Sequence, residues 1–497
     1  MGDLSDVTTP HADYKKALPR WQKCEDAAAG EDAVKARGPD YLPRPNPTDV
    51  TFENSERYKH YLARAVYYNA TGRTLQGLLG LVFSEPATIT LPAAMEFARE
   101  DISGSGLPLI QHAQATLEEL LKTGRGGLFV DYPSIDGPVS LADQIVGGVR
   151  PTVTFYPATQ IINWRTSRRA GKTILSMVVL KEDAEEDDES GFGAKFVEQY
   201  RVLSLGDDGY RVDIWQQRKS QTSVALEWQI IETYYPTQGN SSPWVEIPFQ
   251  FVGAKNNDWN IDDAPLYDIA VLNVAHFRNS ADYEDSVYLT GQPQVWIAGL
   301  TEEWRDALIK SGIYFGARNA LPLPVGGSAG MFQASPNTLA KEAMDAKESQ
   351  MAALGARLIQ APTSVKTATQ VNSEDAIAHS VLALCCANLN SAYTQVLVWF
   401  GLFAKIAGNA ALSVPTDFSS YTMDAQTLLA LIQGVQSGNI PQTDFWARLR
   451  AAGIINAQKT DAQVREELEQ QAPSAGDLNL DANDPANEAD PVDVVSA

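Results

Sequence analysis

The sequence predicts an α+β fold, in which strands and helices occupy separate stretches of the chain. Runs of β-branched and aromatic residues follow one another between residues 127 and 252, with turn residues between them. From residue 263 onward, apolar residues recur at helical spacing over long segments. A short mixed segment, residues 291–334, interrupts these helical segments. Because the strands are grouped rather than alternating with helices, antiparallel pairing is expected.

Composition narrows the class of protein. The chain has 497 residues, of which 44% are hydrophobic, so it can build sizeable cores in about three domains. Its formal net charge is −23. This charge argues against a protein whose main surface grips nucleic acid, because phosphate binding needs clustered Lys and Arg. A protein that lets DNA pass without holding it stays compatible with such a charge.

Cysteines and apolar runs indicate the compartment. The three cysteines, Cys24, Cys385 and Cys386, show no metal-ligand spacing, which fits a reducing environment. The first ten residues are acidic and polar, so they are not expected to act as a signal peptide. The longest apolar run, residues 381–403, contains Asn and Gln, and no membrane span is expected.

The first half of the chain is expected to form an arm and then the strand-rich region. Residues 1–54 are rich in proline and polar residues and predict an extended arm with a short helix near residues 14–29. Helices are expected at 55–69, 74–83 and 107–122. Strands are expected at 127–133, 152–156, 160–164, 173–180, 196–205, 210–217, 224–233 and 247–252. The GDDG at 206–209 predicts a tight hairpin, and the acidic run 182–191 predicts a solvated hairpin tip.

The second half is organised around long helices. One is predicted over 263–290, and a second over 335–358, with Ser335 as N-cap and Pro336 in the first turn. A polar loop, 359–371, follows, and a third helix is predicted to start at the polar cluster at 372–375. A compact helical region, 417–471, is expected next, with helices at 424–437, 442–452 and 461–471. An acidic tail, 472–497, expected to be disordered, completes the chain. Taken alone, these helices favour an ordinary helical hairpin within a large α domain.

Motifs for catalysis or cofactors are weak. The AGKT at 170–173 lacks the first P-loop glycine, since Thr166 stands there, and a strand rather than a helix follows it. No histidine pair has the spacing of a metal site. No catalytic residue, metal or cofactor is therefore expected. A catalytic pair drawn from distant parts of the chain stays open, but nothing in the sequence supports one.

The order of elements resembles that of the portal, or head–tail connector, proteins of tailed bacteriophages. PLYDIAVLNVAHFRNSADYEDSVYLTGQP (265–293) is similar to the segment that enters the stem in an uncharacterised branch of portal-like proteins. KESQMAALGARLI (347–359) and KTATQVNSEDA (366–376) resemble the returning helix and loop of the family, with Gln370 where an acid is common. GNIPQTDFWARLRAAGII (438–455) resembles the C-terminal cap. The resemblance covers roughly residues 55–471.

The resemblance implies a portal-like architecture: an α/β wing, long stem helices, a small α/β clip, a long wing helix and a helical crown. The implied parts are the N-terminal arm 1–54, wing 55–262, stem helix 263–290, clip 291–334, stem helix 335–358, tunnel loop 359–371, long wing helix 372–416, crown 417–471 and acidic tail 472–497. The tunnel loop would project toward DNA through Thr363, Ser364, Lys366, Thr367, Thr369 and Gln370. The clip would bind partners through Trp296, Trp304, Arg305 and Tyr314.

The resemblance also implies a function and partners. Family members form rings of about twelve copies at one capsid vertex, closed by head-to-tail contacts. Double-stranded DNA passes through the channel, without sequence specificity, during packaging and ejection. The expected partners are the terminase large subunit, neck or adaptor proteins, and the major capsid and scaffolding proteins. The protein would be a non-enzymatic virion component assembled in the host cytoplasm. The alternatives are another neck or tail ring protein and, third, an α/β hydrolase-type enzyme.

Overall fold

The computed structural model describes most of the chain. The described residues are 6–132, 150–169, 171–187, 193–207, 209–219, 226–239, 242–291, 294–311, 323–332, 338–359, 380–418, 435, 441–451 and 459–471. They fall into two compact units, Met1–Thr416 and Asp417–Ala497. Both helices and sheets are present, and the strands are grouped, so the predicted α+β class is confirmed.

The N-terminal segment is packed rather than extended. Helix α1, Ala12–Ala29, and helix α2, Glu31–Ala36, are followed by a 3-10 turn at Gly38–Asp40. Trp21 and Cys24 on α1 are buried. The predicted short helix near residues 14–29 is confirmed by α1, whose apolar face is packed against the fold. The expectation of an extended arm is wrong for residues 31–40, which form α2 and the 3-10 turn.

Four further helices lie between residues 52 and 123. Helix α3, Phe52–Arg64, and helix α4, Ala70–Val82, are separated because the Asn69 side chain accepts from Gly72 N and so caps α4. The short α5 spans Phe97–Glu100, and α6 spans Leu109–Thr123. Gly124 ends α6 in the left-handed region, at φ 74°, and a Cβ there would lie 2.8 Å from the Asp262 carbonyl oxygen. Only glycine fits this turn.

A small sheet forms the centre of the first unit. Its order is β3-β2-β9, all antiparallel, with β2 at Arg125–Asp131, β3 at Thr152–Pro157 and β9 at Phe249–Gly253. Helix α6 packs on β2, and β2 is buried along almost its whole length. Burial on both faces explains why this strand was predicted from a continuous run of apolar residues rather than from an alternating pattern.

A second sheet is a five-stranded antiparallel meander. Its strands are β4 Ile161–Arg169, β5 Lys172–Asp187, β6 Ala194–Gly206, β7 Gly209–Lys219 and β8 Leu226–Tyr234, in that order. Gly206 pairs with Gly209, which has φ 103°, so the predicted GDDG hairpin is confirmed. The acidic run is not only a hairpin tip, because β5 continues through Glu182 to Asp187 and the Glu182 side chain is bonded to Arg201.

The long helices and the inserted module follow. Helix α7 spans Tyr267–Thr290 and helix α9 spans Leu339–Ile359. Between them lies a module of strand β10, Gln294–Ala298, helix α8, Glu302–Ser311, and strand β11, Ser328–Phe332. The predicted cap at Ser335 and Pro336 lies outside the described residues. The sequence placed the module's second strand near 321–327, whereas the structure has it at β11.

The third long helix, α10, Val381–Ala404, forms the core of the first unit. Ser380 has extended backbone and its side chain accepts from Ala383 N, so the expected start at residue 372 is wrong. Helix α10 packs on β2 and β9. By length and mean hydropathy, 1.4, it could cross a membrane, but half of that apolar window is buried inside the fold, as in a core helix.

The polar residues that interrupt α10 make specific bonds. Asn388 Nδ2 donates to Gly253 O at 2.7 Å, and Asn390 bonds both backbone groups of Val414. These bonds tie α10 to β9 and to the segment after β12, Ala411–Ser413, which pairs with β1, Thr88–Thr90. Each buried amide is thus satisfied rather than left exposed to an apolar core.

The second unit is helical in the part described. Helix α11 spans Gln442–Ala451 and helix α12 spans Asp461–Gln471, close to the predicted 442–452 and 461–471. Trp446 and Val464 are buried. Arg450 forms an ion pair with Asp461. The predicted helix over 424–437 and the acidic tail 472–497 lie outside the described residues, apart from residue 435.

Candidate functional site

The pair of long helices α7 and α9 is the first element of the candidate site. The two helices run antiparallel, since His276 lies beside Glu348 and Asn279, further along α7, lies beside Lys347, which is earlier on α9. His276 Nε2 lies 3.1 Å from Glu348 Oε1. His276 is buried, whereas the Glu348 side chain is 44% exposed. The pair therefore fixes the register of the two helices at a half-exposed site.

The body, by which we mean the first unit without α7, α9 and the module between them, holds α7 through hydrogen bonds to two of its side chains. Asn273 Oδ1 accepts from the Thr71 backbone N at 3.0 Å, and Asn273 Nδ2 donates to Tyr68 O at 2.7 Å. Ser280 Oγ bonds both backbone groups of Val66. These buried bonds give α7 one position relative to α3 and α4.

Helix α7 then leaves the body. Arg64 on α3 pairs with Asp285, and its guanidinium lies 4.3 Å from the centre of the Tyr288 ring. Beyond this contact, Val287, Tyr288 and Leu289 are all about half exposed. A rigid helix of this kind carries the inserted module away from the core.

The inserted module exposes apolar side chains. Trp296 on β10 pairs with Gly330 on β11, and a Cβ at Gly330 would lie 2.9 Å from the indole, so the ring covers that glycine. Ile309 is 72% exposed, Met331 is 61% exposed and Val325 is fully exposed. Leu308, in contrast, is only 8% exposed. Several exposed apolar side chains within one small module make it a candidate interaction surface.

Three of the four predicted clip residues can be located in the structure, and they differ in exposure. Trp296 is 45% exposed, Trp304 is half-buried and Arg305 is exposed. The Arg305 guanidinium donates to Asp306 Oδ1 at 3.0 Å, so it is bound to its own helix. Tyr314 lies outside the described residues. The sequence analysis missed Ile309, Val325 and Met331, because nothing local distinguishes an exposed aliphatic residue from a buried one.

The predicted tunnel-loop residues cannot be placed on this framework. Residues 360–379 lie outside the described part of the chain. The residues concerned are Thr363, Ser364, Lys366, Thr367, Thr369 and Gln370. Their role stays a prediction.

A partly buried ionic cluster joins the two sheets. Arg201 on β6 donates from Nε to Glu182 Oε1 at 2.7 Å and from Nη1 to the Tyr234 hydroxyl at 2.7 Å. Asp131, at the end of β2, lies 3.3 Å from the same guanidinium. Burial raises the pKa of Asp131, although Arg201 acts in the opposite direction. Every member of the cluster bonds another member, which is the pattern of a structural network.

A second buried polar contact joins α6 to α10. His112 Nδ1 and the Tyr393 hydroxyl are 2.6 Å apart, and the Thr116 hydroxyl lies 2.9 Å from the same oxygen. Burial lowers the pKa of His112 to about 4, so the imidazole is neutral at neutral pH. Among the residues that the structure describes, no group of three or more His, Cys, Asp or Glu side chains is placed to hold a metal ion.

Comparison with known families gives a match over the long helices and the inserted module. A family model, a domain of unknown function called DUF4055, matches residues 265–404. No curated protein matches. Among solved structures, a chain from the virion of a native gene transfer agent particle has a TM-score of 0.38 and 14% identity, covering 79% of this chain and 91% of that one. A chain from the neck of an empty particle of that kind has a TM-score of 0.39 and 13% identity, covering 86% and 98%.

The family match has informative bounds. At TM-scores below 0.5, the structural similarities establish neither a shared fold nor a shared function. The family model, however, begins two residues before α7 and ends at the last residue of α10. Its span therefore holds the antiparallel helix pair, the inserted module and the core helix as one unit.

Proposed function

We propose that this protein is a phage-type portal protein, a ring at one capsid vertex through which DNA is packaged and ejected. One observation carries the proposal: the antiparallel pair α7 and α9 is anchored to a large body on one side and carries a small apolar module at its far end. A ring protein needs such a part, because its body meets the shell while its far end meets other components. The sequence resemblance of residues 265–293 and 347–376 to portal stems supports the same function.

Ring closure would use heterologous contacts, in which one surface of a copy meets a different surface of the next. The exposed side of α9 suits close packing between copies, since it is rich in alanine. The exposed alanines are Ala346, Ala352, Ala353 and Ala356. Small side chains allow neighbouring helices to approach closely at little cost in lost rotamers.

The charge of the chain suits a channel. At a net charge of −23 per copy, a ring would repel phosphate rather than hold it, and salt would limit this repulsion to about 10 Å. DNA would then stay centred and mobile. In this proposal the loop 359–371, with Lys366 as its one basic residue, approaches the duplex.

The remaining partners follow from the same arrangement. The terminase large subunit and later the neck or adaptor proteins would bind the module through Trp296, Trp304, Arg305 and Tyr314. Capsid and scaffolding proteins would contact the body. The proposed role is structural rather than enzymatic, in the virion after assembly in the host cytoplasm, without a membrane.

The first experiment is a measurement of mass and symmetry. The purified full chain should form a ring with a central channel and a mass of about twelve chains, by light scattering and particle imaging. A protein that stays monomeric under all assembly conditions would contradict every ring function, including another neck or tail ring.

The second experiment separates a portal from another neck ring. Deletion of residues 359–371 should leave ring assembly intact but impair packaging or retention of the genome. Ring mass of the deleted protein is the control for folding. Normal packaging by deleted rings would show that this loop does not handle DNA.

A further inference from the structure

The five-stranded sheet ends in two strands that pair on one side only. In the described residues, β4 pairs with β5 alone and β8 pairs with β7 alone. His11 N donates to Ile162 O at 2.8 Å, so the N-terminal segment covers the beginning of β4. The rest of β4 and all of β8 present unpaired backbone groups, which can template pairing with another chain.

Strand β8 has one of the usual protections of an edge strand, a register shift opposite Ile214 and Trp215, but not the others. Natural edges carry Lys, Pro, bulges or covering loops. Strand β8 contains neither Lys nor Pro, and three of its aliphatic side chains are exposed: Leu226, Ile230 and Ile231. An edge of this length and character is a liability for a free monomer, and it is better explained by a partner strand.

The two edges carry opposite charges. Arg165 and Arg168 on β4 are exposed, and neither forms an ion pair with any residue that the structure describes. The same holds for Glu227 and Glu232 on β8. The basic edge and the acidic edge lie on opposite sides of one sheet. Such an arrangement is complementary to itself only head to tail, as a heterologous contact requires.

The direction of the strands fits rotation about a ring axis. Each neighbouring pair in the sheet is antiparallel, and the sheet has five strands, so β4 and β8 run in the same direction. A copy related by a small rotation keeps its strand directions nearly unchanged. Strand β8 of one copy would therefore meet β4 of the next in parallel, the geometry of evenly spaced, slanted hydrogen bonds.

We propose that β8 of each copy docks against β4 of the next copy, so that the five-stranded sheets join around the ring. The occupant of each edge is thus a second copy of this chain, and the contact is set by Arg165 and Arg168 facing Glu227 and Glu232. The inference rests on the ring of the proposed function and specifies one of its interfaces.

The test reverses the charge of one edge at a time. Variant one carries Arg165→Glu and Arg168→Glu, and variant two carries Glu227→Lys and Glu232→Lys. Each alone should assemble at least about tenfold more weakly, because like charges then face each other at every interface. An equimolar mixture should restore rings in which the two variants alternate. In such a ring the acidic β4 of variant one meets the basic β8 of variant two, and the wild-type β8 of variant one meets the wild-type β4 of variant two. The readout is the ring fraction by light scattering and mass photometry.

A matched control reverses two charges on an inner strand of the same sheet. Asp183→Lys with Glu185→Lys changes the net charge as variant two does, but both residues lie where β5 extends past the end of β4 and pairs with β6, outside the β4 segment that carries Arg165 and Arg168. This control should assemble like the wild type. Thermal unfolding checks that each variant is folded. If a reversed variant misfolds, Arg165→Gln with Arg168→Gln, and Glu227→Gln with Glu232→Gln, replace it, and each should weaken assembly.

The outcomes separate this inference from the proposed function. A wild-type chain that never forms rings overturns both. Wild-type rings together with normal assembly of either folded variant overturn only the edge contact. Variants that fail singly and also fail when mixed overturn it as well, because head-to-tail complementarity requires the rescue.

Discussion

The body of the protein and its inserted module differ in which side chains they expose to water. In the body, polar groups such as Arg201, His112 and Asn388 are buried or half-buried and are bonded to partners in the same chain. In the module, apolar groups such as Ile309 and Val325 are exposed. The body thus pairs its polar groups within the chain, whereas the module leaves apolar side chains in water that a partner could cover.

The largest difference in stability between the two regions is expected when an ion pair is removed from each, at Arg201 in the body and at Arg305 in the module. Arg201→Met leaves Glu182 and Asp131 near each other without their cation, and should lower the free energy of unfolding by about 3–5 kcal/mol. The matched change in the module, Arg305→Met, removes an exposed pair with Asp306 and should cost less than about 1 kcal/mol. Urea unfolding of both variants measures the difference. Equal costs would mean that the Arg201 cluster is not a buried network.

The second test uses the pH dependence of His112. Its pKa is lowered to about 4 in the folded state, so the unfolded chain binds a proton first as pH falls below about 6.5. The neutral, buried histidine therefore contributes stability that is present above pH 6.5 and is lost as pH falls toward 4. The loss from this group is about 3 kcal/mol.

His112→Gln keeps a hydrogen-bonding group near Tyr393 but does not titrate. Its stability should fall less steeply than that of the wild type between pH 6.5 and 4, by chemical unfolding at each pH. Because all other acids titrate in both proteins, the difference between the two curves isolates His112. Parallel curves would show that His112 is not buried as a neutral group.

Local patterns predicted the elements that local forces determine. The strands from 152 to 252 and the helices α6, α7 and α12 were found because periodicity and turn residues act over a few positions. The start of α10 was missed, since several polar residues could cap it and only Ser380 does so among those described. In the N-terminal segment the helix around Trp21 was predicted, but α2 was missed because it is only six residues long and is followed by a proline-rich stretch.

The candidate site was less predictable than the fold. Glu182 lies in an acidic run that looks solvated, yet it meets Arg201, 19 residues later, and Asp131, on another sheet, belongs to the same cluster. Partners so distant in the chain leave no local signal. For the same reason, the exposure of Ile309 could not be distinguished in the sequence from the burial of Leu308, its neighbour.

A smaller effect is expected at the contact between α7 and α9. Glu348→Ala removes the hydrogen-bond partner of His276 Nε2 and should lower the free energy of unfolding by about 1 kcal/mol. The cost arises because water can replace the lost carboxylate only in part at the buried imidazole ring. Glu342→Ala, on the exposed side of the same helix, is the control and should be close to neutral. Thermal unfolding measures both. A neutral Glu348→Ala would mean that packing alone sets the register of the two helices.

The smallest effect on stability is expected at Ile309, an exposed residue of the module whose neighbour Leu308 is buried. Ile309→Ser should change the free energy of unfolding by less than about 0.5 kcal/mol, since the side chain is already in water. Leu308→Ser, one residue away and buried, should cost about 2–4 kcal/mol. If the module is a docking surface, Ile309→Ser should nonetheless weaken binding of the component that docks there, as judged by its co-sedimentation with assembled rings. A stability loss at Ile309 equal to that at Leu308 would instead place both side chains inside the chain's own core, and the module would then belong with the body.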